Sequence, residues 1–221
     1  AIDSPERFGQ WFADQADSGS LVEYLKTFDV TLSVMQTAEG LTRIGREFVE
    51  DLVDDGVIYG EIRWAPEQRL ESGLSLDGAV EAVQAGIDEA VDSAATNGHH
   101  IHVGQLISAM RQNDRSMNIA ELVLRHREKG AVGFDIAGPE AGFPPARFAE
   151  AFAYLAREMF PVTIHAGEAD GIESIRGALV DGHALRLGHG VRIAEEIKDL
   201  SGNNAELAGL GSVARWVLER G

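Results

Sequence analysis

The sequence predicts an α/β fold, a parallel sheet with helical cover, on three observations. Strand-like and helix-like stretches alternate regularly, five strands each followed by a helix. The 221 residues are 44% hydrophobic with short connections, which fits one globular domain with a sizeable core. Polar residues gather at the C-terminal strand ends: Arg63, Asp135 and Gly138, His165 and Glu168, and His189. That edge carries chemistry in (β/α) barrels and in doubly wound sheets alike. No Gly-rich phosphate loop follows the first strand, and no Walker signature occurs.

Ser4-Pro5-Glu6 reads as a helix start, a capping Ser followed by Pro and an acid. Phe8, Trp11 and Phe12 follow at helical spacing, and Ser18-Gly19-Ser20 interrupts. Leu21, Tyr24, Leu25 and Phe28 then repeat at i, i+3, i+4 and i+7, the stripe of a helix packed on a core. A long helix is expected from Thr37 to Asp55, with Leu41, Ile44, Phe48 and Leu52 on one face and Gly56 ending it. Val57 to Pro66 is a strand in which Glu61 and Arg63 share a face, as an inward ion pair would. Helices are expected at Ser75–Asn97, Asn118–Lys129, Pro145–Glu158, Ile172–Val180 and Leu207–Leu218. Strands are expected at His100–Met110, Ala131–Gly138, from Pro161, and at Ala184–Gly190.

Charge and composition exclude several function classes. The formal net charge is −17, so phosphate backbones and anionic membranes are repelled, and neither nucleic acid nor membrane is an expected partner. There is no Cys, which excludes disulfides and any Cys-containing zinc site. No run approaches the roughly 18 apolar residues of a membrane span. Ala1 to Arg7 lacks the basic and apolar regions of a signal peptide, so a cytoplasmic location is expected. The chain opens without Met and closes on a helix end with Gly221, and reads as an internal segment.

Pro161 to Ala169 reads Pro-Val-Thr-Ile-His-Ala-Gly-Glu-Ala. β-Branched Val162, Thr163 and Ile164 form a short buried strand ending in His165. Glu168 follows across an Ala-Gly turn and can point into the same mouth. Such a His can ligate a metal and such a Glu can carry a proton, the pairing that hydrolysis needs. The same residues also read as a core His followed by a solvated Glu. Asp135 can support a site or pair with a neighbour inside a barrel, and Gly138 can be an ordinary turn glycine. Glu61 and Arg63 read as structural, and His99, His100, His126 and His183 as surface residues.

Four stretches together resemble the adenosine deaminase family of zinc amidohydrolases. They are Tyr59-Gly-Glu-Ile-Arg-Trp-Ala-Pro66, Gly133-Phe-Asp-Ile-Ala-Gly138, His165-Ala-Gly-Glu168 and Leu187-Gly-His-Gly190, one per successive strand. Ser20 to Gln36 is similar to the lid helix of actinobacterial members. The resemblance implies an incomplete (β/α)8 barrel, about strands 2 to 6 with their helices, forming one partial domain over residues 1–221. It implies that His165 ligates one Zn2+, Glu168 protonates purine N1, and His189 orients or deprotonates the attacking water. It further implies that the Gly138 amide meets the purine, that Asp135 supports the metal site, and that Leu21, Tyr24, Leu25 and Phe28 close over the ribose. The substrate would be adenosine or deoxyadenosine, converted to inosine or its deoxy form and ammonia. A related adenine or aminopurine deaminase is the alternative within enzymes, and a non-catalytic fragment without zinc the alternative outside them.

Three departures bear on these expectations. The family's first-strand His-x-His has no counterpart; His100-Ile-His102 sits at the wrong strand. The last-strand Asp-Asp has no counterpart either, and Pro139 stands where many relatives carry Asp. One protein ligand of four leaves zinc weakly bound or absent, so the chain by itself is expected to be inactive. Its unpaired sheet edges are expected to drive self-association.

Overall fold

Capping serines and threonines start the early helices where the sequence places them. The computed structural model describes residues 4–197 and 209–220. It divides into two compact units, Ala1–Ser108 with Glu121–Val132, and Ala109–Ala120 with Gly133–Gly221.

The first unit opens with helices α1 (Pro5–Ala16), α2 (Leu21–Leu25), α3 (Phe28–Ser33) and α4 (Ala38–Asp54). Strand β1 (Tyr59–Trp64) and helix α5 (Leu76–Thr96) follow, then strand β2 (His102–Met110). Ser4, Ser20, Thr37 and Ser75 each accept a backbone N–H of the first turn of α1, α2, α4 and α5. Tyr59 to Trp64 pair in parallel with His102 to Ile107. Helices α4 and α5 approach so closely that a Cβ on Gly86 would sit 1.9 Å from the Thr42 carbonyl oxygen, and one on Gly45 2.4 Å from that of Val83. Only glycine fits at either place. Beneath them Gln105 is fully buried and satisfied, accepting from Trp64 Nε1 at 3.1 Å and donating to the Val80 carbonyl and Gln84.

Three expectations fail in this unit. The stripe from Leu21 to Phe28 is not one helix on a core. It breaks between α2 and α3, no residue of either helix is buried, and Tyr24 and Phe28 are exposed. Glu61 and Arg63 do not lie on a buried face: Arg63 is exposed, and Glu61, half-buried, accepts from the Tyr59 hydroxyl at 2.6 Å. His126 is not a surface residue. It is buried, with Nε2 2.9 Å from Asp77 Oδ1.

Helix α6 (Ser116–Arg125) and strand β3 (Ala131–Ala137) come next, with a 3-10 turn at Arg127–Lys129 where a continued helix was expected. The second unit then builds α7 (Ala149–Arg157), β4 (Thr163–Ala166), α8 (Ile172–Val180), β5 (Arg186–His189) and α9 (Ser212–Leu218). Phe134 of β3 donates its N–H to Pro161 at 3.0 Å, and Thr163 to Ala166 pair in parallel with Arg186 to His189. Phe134, Ile136, Phe152, Leu155, Ile164 and Ile175 fill the core of this unit. Phe134 and Phe148 both meet the Phe152 ring edge-on. Leu207 and Gly221, assigned by the sequence to the last helix and its cap, lie outside the described residues.

Candidate active site

The C-terminal ends of β3, β4 and β5 bring the charged side chains of the second unit together. Strand β4 ends at Ala166, and Gly167 turns the chain with φ +69. A Cβ on Gly167 would meet Ile175 Cδ1 at 2.6 Å, so both conformation and space require glycine there. The short Ala-Gly turn thereby separates His165, on the strand, from Glu168, on the loop leading to α8.

His165 is held from behind. Asp135 on β3 is 0% exposed; its Oδ1 accepts the His165 backbone N–H at 3.1 Å, and its Oδ2 lies 2.8 Å from His165 Nδ1. That second contact is close without hydrogen-bond alignment. The imidazole itself is 19% exposed, so the edge away from Asp135 is the one on offer. A carboxylate behind a histidine is the arrangement that fixes the ring of a metal ligand.

His189 arrives from β5, and the strand register alone would not bring it here. Ala166, not His165, is its paired residue. Alternation would therefore put the two imidazoles on opposite faces. His189 instead has φ +64, and Gly190 follows at +66. This left-handed pair turns the ring toward β4, where its centroid lies 5.3 Å from that of His165. A non-glycine residue in that region stores on the order of 1 kcal/mol or more of strain, a pattern concentrated at functional sites. His189 Nε2 lies 3.5 Å from Glu168 Oε2, with the two side chains 38% and 29% exposed. His165, Glu168 and His189 thus converge.

Gly138 follows the end of β3 with φ +99, and a Cβ there would meet Gln112 Oε1 at 2.6 Å. It is a required glycine at the mouth of β3. Leu21, Tyr24 and Leu25 lie on α2 and Phe28 opens α3, with the Tyr24 and Phe28 rings edge to face at 5.4 Å. These four belong to the first unit.

Two residues of this end were not foreseen. Arg111 follows β2 and is fully buried, donating to the carbonyl oxygens of Phe143, at 2.5 Å, and of His165. Burial pulls its guanidinium below the usual range, and Glu140, Asp135, Asp170 and Glu168 push the other way. Glu140 is also buried and binds the loop that carries Glu168. A charged residue in the Gly-Pro-Glu-Ala-Gly turn after β3 was the available signal for it.

The donor set decides how far a metal fits. His165 with Asp135 behind it suits one ligand position. Among the described residues no group of three or more His, Asp or Glu could hold a metal ion, and a tetrahedral site needs four donors. These residues alone do not fit a bound zinc ion.

The adenosine deaminase family profile matches residues 2–208. The chain belongs to the adenosine deaminase family. It is 53% identical over 207 residues to adenosine deaminase 1 of Streptomyces coelicolor, covering 94% of this chain and 52% of that protein. It thus spans about half the length of that relative. The N6-methyl-AMP deaminase of Arabidopsis superposes with a TM-score of 0.71 at 28% identity, over 83% of this chain and 55% of that one. A zinc-bound amidohydrolase of Burkholderia ambifaria gives 0.66 at 26%, over 74% and 44%. The parallel α/β architecture is the expected barrel type, present in part.

Proposed function

We propose that this chain carries the acid–base half of a hydrolytic deaminase site, acting on adenosine or deoxyadenosine. The observation that carries the proposal is the convergence of His165, Glu168 and His189 at the ends of neighbouring strands. Glu168 donates a proton to purine N1, which makes C6 electrophilic. His189 orients the water that adds to C6 and accepts its proton. That proton then goes to the departing amino group, which leaves as ammonia; the hydroxyl proton left on the adduct returns to the Glu168 carboxylate as the C6 carbonyl of inosine forms, with no change in the oxidation state of C6. The Gly138 backbone N–H meets the purine. His165 is the residue we assign to a metal, with Asp135 fixing its ring; the remaining donors are not among the described residues.

Identity of 53% to an adenosine deaminase favours adenosine. The likeness to an N6-methyl-AMP deaminase favours another aminopurine as the second reading. A panel of adenosine, deoxyadenosine, adenine and N6-methyl-AMP, offered to the full-length protein and followed at the purine absorbance, tests the assignment. Adenosine or deoxyadenosine should turn over fastest. Preference for adenine or the nucleotide would replace the first reading by the second.

No helix among the described residues is long and apolar enough to cross a membrane. We place the reaction in the cytoplasm, and the strongly acidic charge argues against nucleic-acid partners. We also propose that the 221-residue chain self-associates at its sheet edges, next to which Ile58 and Leu185 expose 78% and 75% of their surface. Light scattering that gives a monomer mass at working concentrations would end that part of the proposal.

A further inference from the structure

The carboxylate of Glu140 collects five donors. Oε1 accepts the Gly167 backbone N–H at 2.6 Å and the Ser174 hydroxyl at 2.5 Å. Oε2 accepts the backbone N–H groups of Glu168 at 3.1 Å, Ala169 at 2.7 Å and Asp170 at 2.9 Å. Four successive N–H groups turned toward one point form the kind of concavity that elsewhere receives a bound anion. Here a carboxylate of the chain fills it, and the backbone that it pins is that of the proposed proton donor. We propose that Glu140 is a positioning residue, acting through Glu168: it fixes the 167–170 loop so that the Glu168 carboxyl stands beside His189. The proposal rests on the reading of Glu168 as the general acid.

The chemistry of the donors explains why an ionised carboxylate is needed. A carboxylate is acceptor-only, with about four lone-pair directions over its two oxygens. Two donors meet Oε1 and three meet Oε2. A glutamine amide, whichever way it is turned, would aim its NH2 at two or three other donors. Glu140→Gln therefore keeps the volume and loses the clamp, while Glu140→Asp keeps the charge on a shorter stem. Burial pushes the Glu140 carboxyl up, and hydrogen bonds from Ser174, Ala169, Asp170 and Gly167 more than reverse this, leaving it below the ordinary carboxylate value. The buried Arg111 guanidinium adds a nearby positive charge that favours the ionised form.

A residue that only stabilised the fold would lower stability and leave the chemical step alone. A double-mutant cycle separates the two roles. In the full-length protein, Glu140→Gln should lower kcat for adenosine by about 10²-fold, the cost of misplacing a catalytic group by about 1 Å. KM should move by less than about threefold, since the substrate's ground-state contacts remain. Added to Glu168→Gln, the same change should slow turnover by no more than about twofold, because the group it positions is already gone. Glu140→Asp should fall between wild type and Gln and show the same lack of additivity. Multiplicative losses in the double variants would overturn the proposal. If Glu168→Gln alone kept full turnover, the general-acid reading would fall instead. Amide exchange in the 221-residue chain tests the clamp without activity. In Glu140→Gln the amides of Gly167, Ala169 and Asp170 should exchange about tenfold faster or more, with Phe134 and Ile136 unchanged. Unaltered exchange in that loop would overturn the clamp itself.

Discussion

Two carboxylate–histidine contacts among the described residues each bury one partner, and they are built the opposite way round. In the first unit Asp77, on the first turn of α5, is 44% exposed, and its partner His126 is 3% exposed. Arg125 binds the same carboxylate through Nε at 3.1 Å and Nη2 at 2.8 Å. These bonds join the start of α5 to the end of α6. In the second unit Asp135 is the buried partner and His165 the one that reaches the surface, facing His189. The same two residue types thus make a staple in one place and, in the reading proposed above, part of a site in the other. Which partner is buried decides the role. A sealed imidazole ties elements together, and an imidazole sealed only from behind has a nitrogen left for chemistry.

The largest expected effect concerns the whole chain. The 221-residue polypeptide supplies one expected zinc ligand, so we predict less than one equivalent of zinc after dialysis and no measurable inosine formation. Stoichiometric zinc with chelator-sensitive turnover would show that further donors are present. Next, in the full-length protein, Glu168→Gln should lose about 10²–10⁴-fold in turnover, since the amide cannot supply an acid proton. Near-normal turnover would remove Glu168 from the chemistry. A smaller effect is expected at the staple. Asp77→Ala leaves the buried His126 nitrogen without its partner, a cost of about 1–3 kcal/mol, or several degrees in the thermal midpoint. An unchanged midpoint would mean that the cluster holds nothing together.

The smallest expected effect is in pH dependence. The Arg125 hydrogen bonds, opposed by partial desolvation and aided by His126, lower Asp77 from 3.8 to about 2. A lowered folded-state pKa gives stability that is fully present above the unfolded value. The contribution is therefore complete above about pH 4 and fades as pH falls from 3.8 toward 2. Because Asp77 is partly exposed, salt should weaken it. Denaturation midpoints of wild type and Asp77→Asn should converge over that acidic window. Parallel curves would assign the slope to other groups.

What the sequence made legible was local. Ser4, Thr37 and Ser75 announce helix starts because a cap acts within three residues. His165 and Glu168 were legible because a β-branched run and a two-residue turn place them almost without help from the rest of the fold. His126 was misread because its partner Asp77 is 49 residues away, and periodicity along α6 carries no trace of it. Glu140 and Arg111 escaped for the same reason: their partners lie 27 to 54 residues on, in the loop after β4 and at the carbonyl of His165. The stripe from Leu21 to Phe28 misled in the other direction. Its spacing is helical, yet Thr27 turns back to the Tyr24 carbonyl at 2.7 Å and the stripe covers no core of its own.

The most direct test of the contrast between the two pairs is the rate of adenosine-to-inosine conversion in Asp135→Asn and Asp77→Asn, compared side by side in the full-length protein well below either thermal midpoint. Asp135→Asn should lose about 10–100-fold, as removal of the group behind a metal-ligating histidine does. Asp77→Asn should stay within about twofold of wild type, as a change far from the reacting atoms does. Equal losses in the two variants, or a larger loss at Asp77, would contradict the account.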